Sequence, residues 1–348
     1  MTSMNSPSLR KCIYCLEEKP AEEFNREHVI NEAFGTYDED TMTLDCVCRD
    51  CNQALGDSID LCLARGTYEG LHRLRLSVRK PEEKVIADAK ARLDEVLLVM
   101  PGPLDGILLD IILSADGTMK VVPIPQVGFR RTDNGQWINL PLKRFLEGGK
   151  PDLPKCDKIR SLCNSDEQTE QFKSKVAEYE LPLTGAPESL PAPGDDVWVD
   201  VRWHITEAVR RSIAKIAFNY AAHNQGAAFV LKAHFDPVRR FIRYGEGDCL
   251  DFVRVSPDRV TAEGSLQSCH FVALEMKDTR DVIVSVSIFN SFIYSVRLAR
   301  TYPIWFRLAC GHCFDPVDKR VYEIAATRLH IPGWTEKQRK PPPLIRRL

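Results

Sequence analysis

The sequence predicts an α+β protein in two parts: a small strand–loop–strand–helix module, then a larger α+β domain built on an antiparallel sheet. Three observations predict it. Two Cys-x-x-Cys pairs, Cys12/Cys15 and Cys48/Cys51, bracket a loop of about thirty residues near the start of the chain. A helix-period apolar stripe of Ile205, Val209, Ile213, Ile216 and Tyr220 runs through "ITEAVRRSIAKIAFNYAAHNQG", with Gly226 just past its end. Three apolar runs in succession, "CHFVALEMK", "DVIVSVSIFN" and "SFIYSVRLAR", read as strands of one sheet.

Bulk composition limits what the cysteine pairs can be. The chain has 348 residues, 44% hydrophobic and 28% charged, an ordinary globular balance with ample length for a buried core. "MTSMNSPSLRKC" lacks the apolar centre of a signal peptide, and no apolar run approaches the roughly 18 residues that span a bilayer. The expectation is a soluble, cytoplasmic protein with no membrane partner. Its 12 cysteines are then reduced thiols, and paired thiols in that setting bind metal more often than they form disulfides. Each Cys-x-x-Cys brings two thiolates to one ion from a tight turn. Two such knuckles, Cys12, Cys15, Cys48 and Cys51, complete the all-sulfur shell of a closed structural zinc site. So small a module cannot bury enough apolar surface to fold alone, and zinc would supply folding energy on the order of 10 kcal/mol. Cys46 is a rival ligand, because it shares a strand face with Cys48.

Within the loop, "FNREHVI" reads as a strand with Phe24, His28 and Ile30 on one parity, and "TMTLDCVC" as a second. After Cys51 the pattern turns helical: Leu55, Ile59 and Leu63 recur every four residues and Cys62 extends the stripe, with Asp50 as the candidate N-cap. Closing the two knuckles on one ion would draw Asn52, on the first helical turn, towards Glu27 and His28.

From Cys12 to about Arg75, the segments "CIYC", "EHVI…AFG", "CVCRDCN" and "LGDSIDLCLARGTYEGLHRLRL" resemble the HNH endonucleases, the ββα-metal nuclease fold, in their four-cysteine zinc subgroup. The resemblance covers roughly a fifth of the chain. It implies that His28 takes the proton from the attacking water and that Glu27 and Asn52 hold one catalytic divalent cation. It also implies a nucleic-acid substrate, DNA ahead of RNA, and a role in defence against foreign DNA. Two positions depart from the family. Thr43 stands near an asparagine that helps orient the histidine, and Asn31 replaces a proline.

Chemistry alone supports the same residues. Phosphodiester hydrolysis needs a base, for which histidine's ordinary value near about 6.5 is suited, and positive charge at the phosphate. A carboxylate and an amide oxygen are hard ligands, suited to Mg²⁺ or Mn²⁺ ahead of a second zinc. The alternatives are a zinc-stabilised binding or regulatory module without hydrolysis, and a protein–protein adaptor with the module as scaffold.

The charged run "RKPEEKVIADAKARLDE" reads as a linking helix. "GILLDIILSADGTMKVVPIP" reads as a hairpin turning at Asp116-Gly117. "LPLTGAPESLPAPGDD" reads as an exposed loop and "TEKQRKPPPLIRRL" as a basic, proline-rich tail. The expected domains are therefore a nuclease module over 1–80, a linker helix over 81–95, a regulatory or targeting domain over 96–326 and a tail over 327–348. The net charge is −2, and residues 1–80 hold ten Lys and Arg against fourteen Asp and Glu. Affinity for a polyanion must then come from clustered cations: Arg65, Arg73 and Arg75, or Arg239, Arg240 and Arg243 in "DPVRRFIRYG". Cys310, His312 and Cys313, with Cys269 and His270, form a weaker candidate for a second metal site, for which buried core thiols are the simpler reading. The larger domain is also the expected surface for a homo-oligomer or a partner protein.

Overall fold

The computed structural model describes residues 9–37, 42–65, 67–76, 95–98, 106–113, 119–181, 199–203, 205–260, 268–303, 309–324 and 344–347. In the N-terminal part, short strands β1 (Leu9–Lys11) and β2 (Glu18–Pro20) pair antiparallel around the first cysteine knuckle. β3 (Phe24–His28) and β4 (Thr43–Cys48) form a second antiparallel pair with Glu27 opposite Leu44 and His28 opposite Thr43. The register breaks between Asn25 and Glu27. The step from Asn25 to Glu27 is two residues in β3 against three in β4, from Val47 to Leu44, so the extra residue lies in β4. Glu27 is buried and His28 half-buried.

Helix α1 (Arg49–Leu55) starts at the last residue of β4, with Cys48 in the N-cap position. Asp50 lies inside the first turn and pairs with Lys19 at 2.7 Å, so it is not the expected cap. A π-helical stretch, Gly56–Asp60, carries the axis on into α2 (Leu61–Arg65), and α3 (Tyr68–Arg75) follows. Leu55, Ile59 and Leu63 are buried as their spacing predicts; Cys62 is exposed and does not extend the stripe. The wide π turn also buries Asp60, next to Ile59.

Residues 95–203 and 344–347 belong to a separate compact unit. β5 (Glu95–Leu98), β6 (Leu108–Leu113), β7 (Met119–Pro123), β11 (Val199–Trp203) and β18 (Leu344–Arg347) make a five-stranded sheet in the order β18-β11-β5-β6-β7. The predicted hairpin is its β6–β7 pair, with Leu113 opposite Met119. β8 (Gln126–Arg131), β9 (Trp137–Pro141) and β10 (Cys156–Leu162) form a three-stranded sheet covered by α4 (Leu142–Glu147) and α5 (Asp166–Glu178). Phe129, Phe145, Phe172 and Val176 are central to their shared core.

The chain from Ile205 onward returns to the N-terminal part. Helix α6 (Glu207–Gln225) is capped by Thr206, whose side chain accepts from Val209 N, and ends at Gly226, φ +81°. Short α7 (Ala227–Val230) precedes α8 (Asp236–Tyr244), which has Pro237 in its first turn and closes at Gly245 in the left-handed conformation. After α9 (Cys249–Phe252), six strands build one antiparallel sheet in the order β12-β15-β14-β13-β16-β17. They are β12 (Val253–Ser256), β13 (His270–Met276), β14 (Val282–Ser287), β15 (Ile293–Ala299), β16 (Ala309–Asp315) and β17 (Arg320–Ile324). The three predicted strands are β13 to β15. Helix α6 packs on β13, β14 and β15 and also on β4, the π stretch and α2. That double coverage is why nearly its whole circumference is buried, including Arg210, Ser212, Lys215 and Asn219.

The two compact units are thus Met1–Val85 with Ile205–Pro342, and Ile86–His204 with Pro343–Leu348. This corrects the expected division at residue 80 and the single domain over 96–326. The N-terminal module shares a core with the six-stranded sheet, through contacts more than 150 residues apart in sequence that no local pattern announces. Residues 77–94, most of the expected linker helix, and 182–198, most of the proline-rich loop, lie outside the described residues, and Glu95 opens a strand. Of the expected tail, Leu344–Arg347 is a strand paired with β11, and the remainder lies outside the described residues.

Candidate active site and metal centre

Cys12 and Cys15 sit in the turn between β1 and β2, Cys48 ends β4, and Cys51 lies in the first turn of α1. Their four Sγ atoms all lie within 4.8 Å of one another. Cys15 Sγ and Cys48 Sγ are 3.8 Å apart. A tetrahedron of sulfurs at Zn–S ≈ 2.3 Å has an edge of about 3.8 Å, so this spacing fits zinc. The N–H groups of Tyr14 and Cys48 each donate to Cys12 Sγ at 3.4 Å. A hydrogen bond from the Cys51 thiol, helped by backbone N–H donors, holds Cys12 down to about 4, while burial pushes Cys15 up to about 12. Zinc binding to such a cluster displaces the protons of its thiols. Leu16, just past Cys15, has φ +63° where glycine would be unstrained, at a cost of roughly 1–2 kcal/mol. Cys46 is outside the cluster; burial raises its thiol to about 12. Among the described residues no other group of His, Cys, Asp and Glu gathers as a metal site, so Cys269, His270, Cys310, His312 and Cys313 do not form one.

The other predicted residues stand on the elements this centre fixes. His28 Nε2 is 3.4 Å from Glu32 Oε1. Asn52 is half-buried on α1, and its Nδ2 donates to Asn25 Oδ1 at 3.1 Å and to the Arg26 carbonyl at 3.5 Å. The helix therefore meets β3 directly before the Glu27-His28 pair. The Asn52 amide oxygen lies at the opposite end of that group from these contacts. Thr43, in place of the family's asparagine, is opposite His28 in the ladder.

Glu27 points away from solvent, into a polar seam that sequence reasoning missed. Lys215 Nζ donates to Glu27 Oε1 at 2.7 Å and to Asp60 Oδ2 at 2.5 Å. Asn219 Nδ2 donates to Glu27 Oε1 at 3.1 Å and to the His28 carbonyl at 3.3 Å; its Oδ1 accepts from Tyr14 Oη at 2.6 Å. Ser212 Oγ donates to Asp60 Oδ1 at 3.1 Å, and His223 Nδ1 donates to the Thr43 carbonyl at 3.2 Å. Ser212, Lys215, Asn219 and His223 recur at helical spacing along one face of α6. A polar stripe inside an otherwise apolar helix was the signal available. Burial lifts the Glu27 carboxyl above the ordinary glutamate value, against the pull of Lys215. Burial also works against the Lys215 ammonium, yet Asp60 and Glu27 together hold it above the ordinary lysine value. One cation serves two buried carboxylates, so it stays charged while neither acid is fully compensated.

Of the expected nucleic-acid contacts, Arg65 is exposed at the end of α2, and Arg73 is half-buried on α3. Arg75 lies in α3 with its side chain outside the described residues. Arg240 is exposed, 3.8 Å from Glu246, and the Arg243 guanidinium sits 4.8 Å over the Tyr244 ring. Arg239 is a correction. It is buried, donating to the Ile13 carbonyl at 2.6 Å and the Val230 carbonyl at 2.5 Å, and it pairs with Asp236. Arg239 and Arg243 share a face as expected, but that face looks towards the cysteine centre: Arg239 grips the knuckle backbone, and the charge of Arg243 is felt at Cys51.

Residues 12–66 match the model of the HNH endonuclease family. The matched span holds all four clustered cysteines, Glu27, His28 and Asn52, and the N-terminal part is an HNH-like module. No curated protein and no solved structure matches the chain. Among the described residues, no helix is long and apolar enough to cross a membrane.

Proposed function

We propose that the protein is a metal-dependent HNH endonuclease of the cytoplasm that hydrolyses phosphodiester bonds of nucleic acid, DNA ahead of RNA, in defence against foreign DNA. The observation that carries this reading is the meeting of α1 with β3 beside the Glu27-His28 pair, next to a four-sulfur centre, within a segment matching the HNH family. Zinc at Cys12, Cys15, Cys48 and Cys51 is structural, tying the start of α1 to the strand that bears the acid and the base. Glu27 and Asn52 supply hard oxygen ligands. Among the described residues, both hydrogen-bond partners of the Glu27 carboxylate fall on Oε1, so Oε2 is the oxygen offered to Mg²⁺ or Mn²⁺. A divalent cation held there would supply positive charge at the scissile phosphate. His28, at the end of β3 and half-exposed, takes the proton from the attacking water, and Glu32 beside it stabilises the imidazolium that results. Arg65, Arg73 and Arg75, with Arg240 and Arg243, hold phosphates of the substrate. The rest of the chain positions substrate or restrains cleavage, and offers the surface for a homo-oligomer or partner.

The ion pair of Glu27 with Lys215 favours one competing reading, in which the acid is purely structural and the module binds nucleic acid without cutting it. Incubating the purified chain with plasmid and single-stranded substrates in Mg²⁺, Mn²⁺ and EDTA separates the two. Cleavage that needs the divalent ion supports the nuclease; retention of substrate with no cleavage in any metal supports the binding module.

A further inference from the structure

His28 stands where the β3–β4 ladder ends. It is the last residue of β3, Thr43 is the first of β4, and the two are directly opposed. Just beyond them Val29 N donates to Met42 O at 2.9 Å. Met42 takes φ +64°, a left-handed conformation that a side-chain-bearing residue keeps only where its surroundings hold it. Two side chains of α6 reach this end of the hairpin. Asn219 Nδ2 donates to the His28 carbonyl at 3.3 Å, and His223 Nδ1 donates to the Thr43 carbonyl at 3.2 Å. Asn219 and His223 are one helical turn apart, so one face of α6 grips both carbonyls of the opposed pair. We propose that Asn219 and His223 are positioning residues for His28: they clamp the backbone of the His28–Thr43 pair and so fix where the base points. This rests on the nuclease reading above.

The reasoning is geometric. A strand end without further ladder bonds is free to fray, and a ring carried there moves with its backbone. A reacting group displaced by about 1 Å can lose roughly 100-fold in rate. The clamp comes from a long helix packed on the six-stranded sheet, a firmer support than the end of a two-stranded ladder. Asn219 is itself oriented. Tyr14 Oη donates to its Oδ1 at 2.6 Å, which turns Nδ2 towards β3, where it meets the His28 carbonyl and Glu27 Oε1. The Tyr14 ring in turn packs on Phe218 of the same helix, with centroids 5.4 Å apart. The two clamp residues differ in burial: Asn219 is fully buried, and His223 is exposed in the last turn of α6. Removing the His223 donor therefore leaves the Thr43 carbonyl open to water, so the clamp is lost without a buried orphan.

The test compares His223→Ala with His223→Asn in the zinc-loaded full chain, with zinc content and circular dichroism confirming the fold. Asparagine carries its Nδ2 where histidine carries Nδ1, so it keeps the donor that alanine lacks. His223→Ala should lower kcat for plasmid cleavage by about 10-fold or more, with KM and the response to added Mg²⁺ or Mn²⁺ unchanged, and His223→Asn should recover most of the loss. Asn219→Ala should lower kcat at least as far; if it does not fold, Asn219→Ser keeps a polar group beside Tyr14 without reaching the carbonyl. A second readout needs no turnover. In histidine-labelled protein the His28 ring resonance, identified by its loss in His28→Ala, should move in His223→Ala while that of buried His270 stays in place. Parent-like kcat in His223→Ala overturns the proposal, as does a loss that asparagine does not recover or a His28 resonance that does not move. If one of these occurs while the parent cleaves and His28→Ala does not, only the clamp falls. A parent that cleaves in no metal overturns the nuclease reading, and the clamp with it.

Discussion

His270 shows how completely a single side chain can be committed by its neighbours. Its Nδ1 accepts from the Phe289 N–H at 2.9 Å, and its Nε2 donates to the Phe34 carbonyl at 3.0 Å. Only the neutral ring satisfies both bonds, since a proton on Nδ1 would face another N–H. Burial lowers the group from 6.5 to about 4. Between those values the unfolded chain binds a proton that the fold does not, so stability rises with pH there. The contribution is fully present above about 6.5 and is lost as pH falls towards 4, reaching about 3 kcal/mol. His312, lowered by burial in the same sense, adds to the slope. Urea midpoints of the six-stranded unit should drop between neutral pH and about pH 5, and the drop should shrink in His270→Gln. An undiminished drop in that variant would mean other groups carry it. At this scale the four-cysteine cluster was legible because the local spacing of the two knuckles carries it. Arg239 was not: a guanidinium that clamps buried carbonyls is the same letter as one that holds phosphate.

Helix α6 was recognised from its apolar stripe, and Val209, Ile213, Ile216 and Tyr220 are all buried as the period requires. Its second face was not recognised, because Lys215 reaches Asp60 across 155 residues and Asn219 reaches Glu27 across 192. Likewise the π stretch that turns Asp60 inward has no signal in a 3.6-residue pattern. These ties change what loss of zinc should do. Serine at any of Cys12, Cys15, Cys48 or Cys51 removes a ligand whose module shares a core with α6, α8 and the six-stranded sheet. Such a variant should lose its zinc and, with it, stability throughout that unit, while the separate 95–203 unit keeps its structure. Hydrogen exchange resolved by segment measures this. Unchanged protection of β13 to β15 in a zinc-free Cys51→Ser would show that the module and the sheet fold independently.

For the molecule as a whole, the HNH-like module is not a detachable cutter at the front of the chain. It is completed by a helix from beyond residue 200, while residues 86–204 fold between as a separate unit. The α+β class and the antiparallel sheet could be read from local periodicity. The discontinuous division could not, because strand and helix signals say nothing of which distant surfaces meet. A fragment ending near residue 80 strips Tyr14 of Phe218 and Asn219, takes Arg239 from the Ile13 carbonyl and leaves Glu27 without Lys215. Expressed alone with zinc, it should therefore be insoluble or without cooperative unfolding, and co-expression with the remaining chain should rescue it. A fragment that unfolds cooperatively by itself would restore the simpler modular organisation.

Metal-rescue kinetics on His28→Ala beside Glu27→Ala and Asn52→Ala tests the nuclease itself most directly, with zinc content matched to the parent. His28→Ala should cut roughly 100-fold more slowly or worse, because general-base catalysis contributes about 10²–10⁴-fold, and added Mg²⁺ or Mn²⁺ should not restore it. Glu27→Ala and Asn52→Ala should lose activity at low metal and recover part of it as metal rises, since they lack ligands and not the base. Cleavage by His28→Ala at the parent rate would contradict the nuclease reading and leave the two knuckles as the scaffold of a binding module.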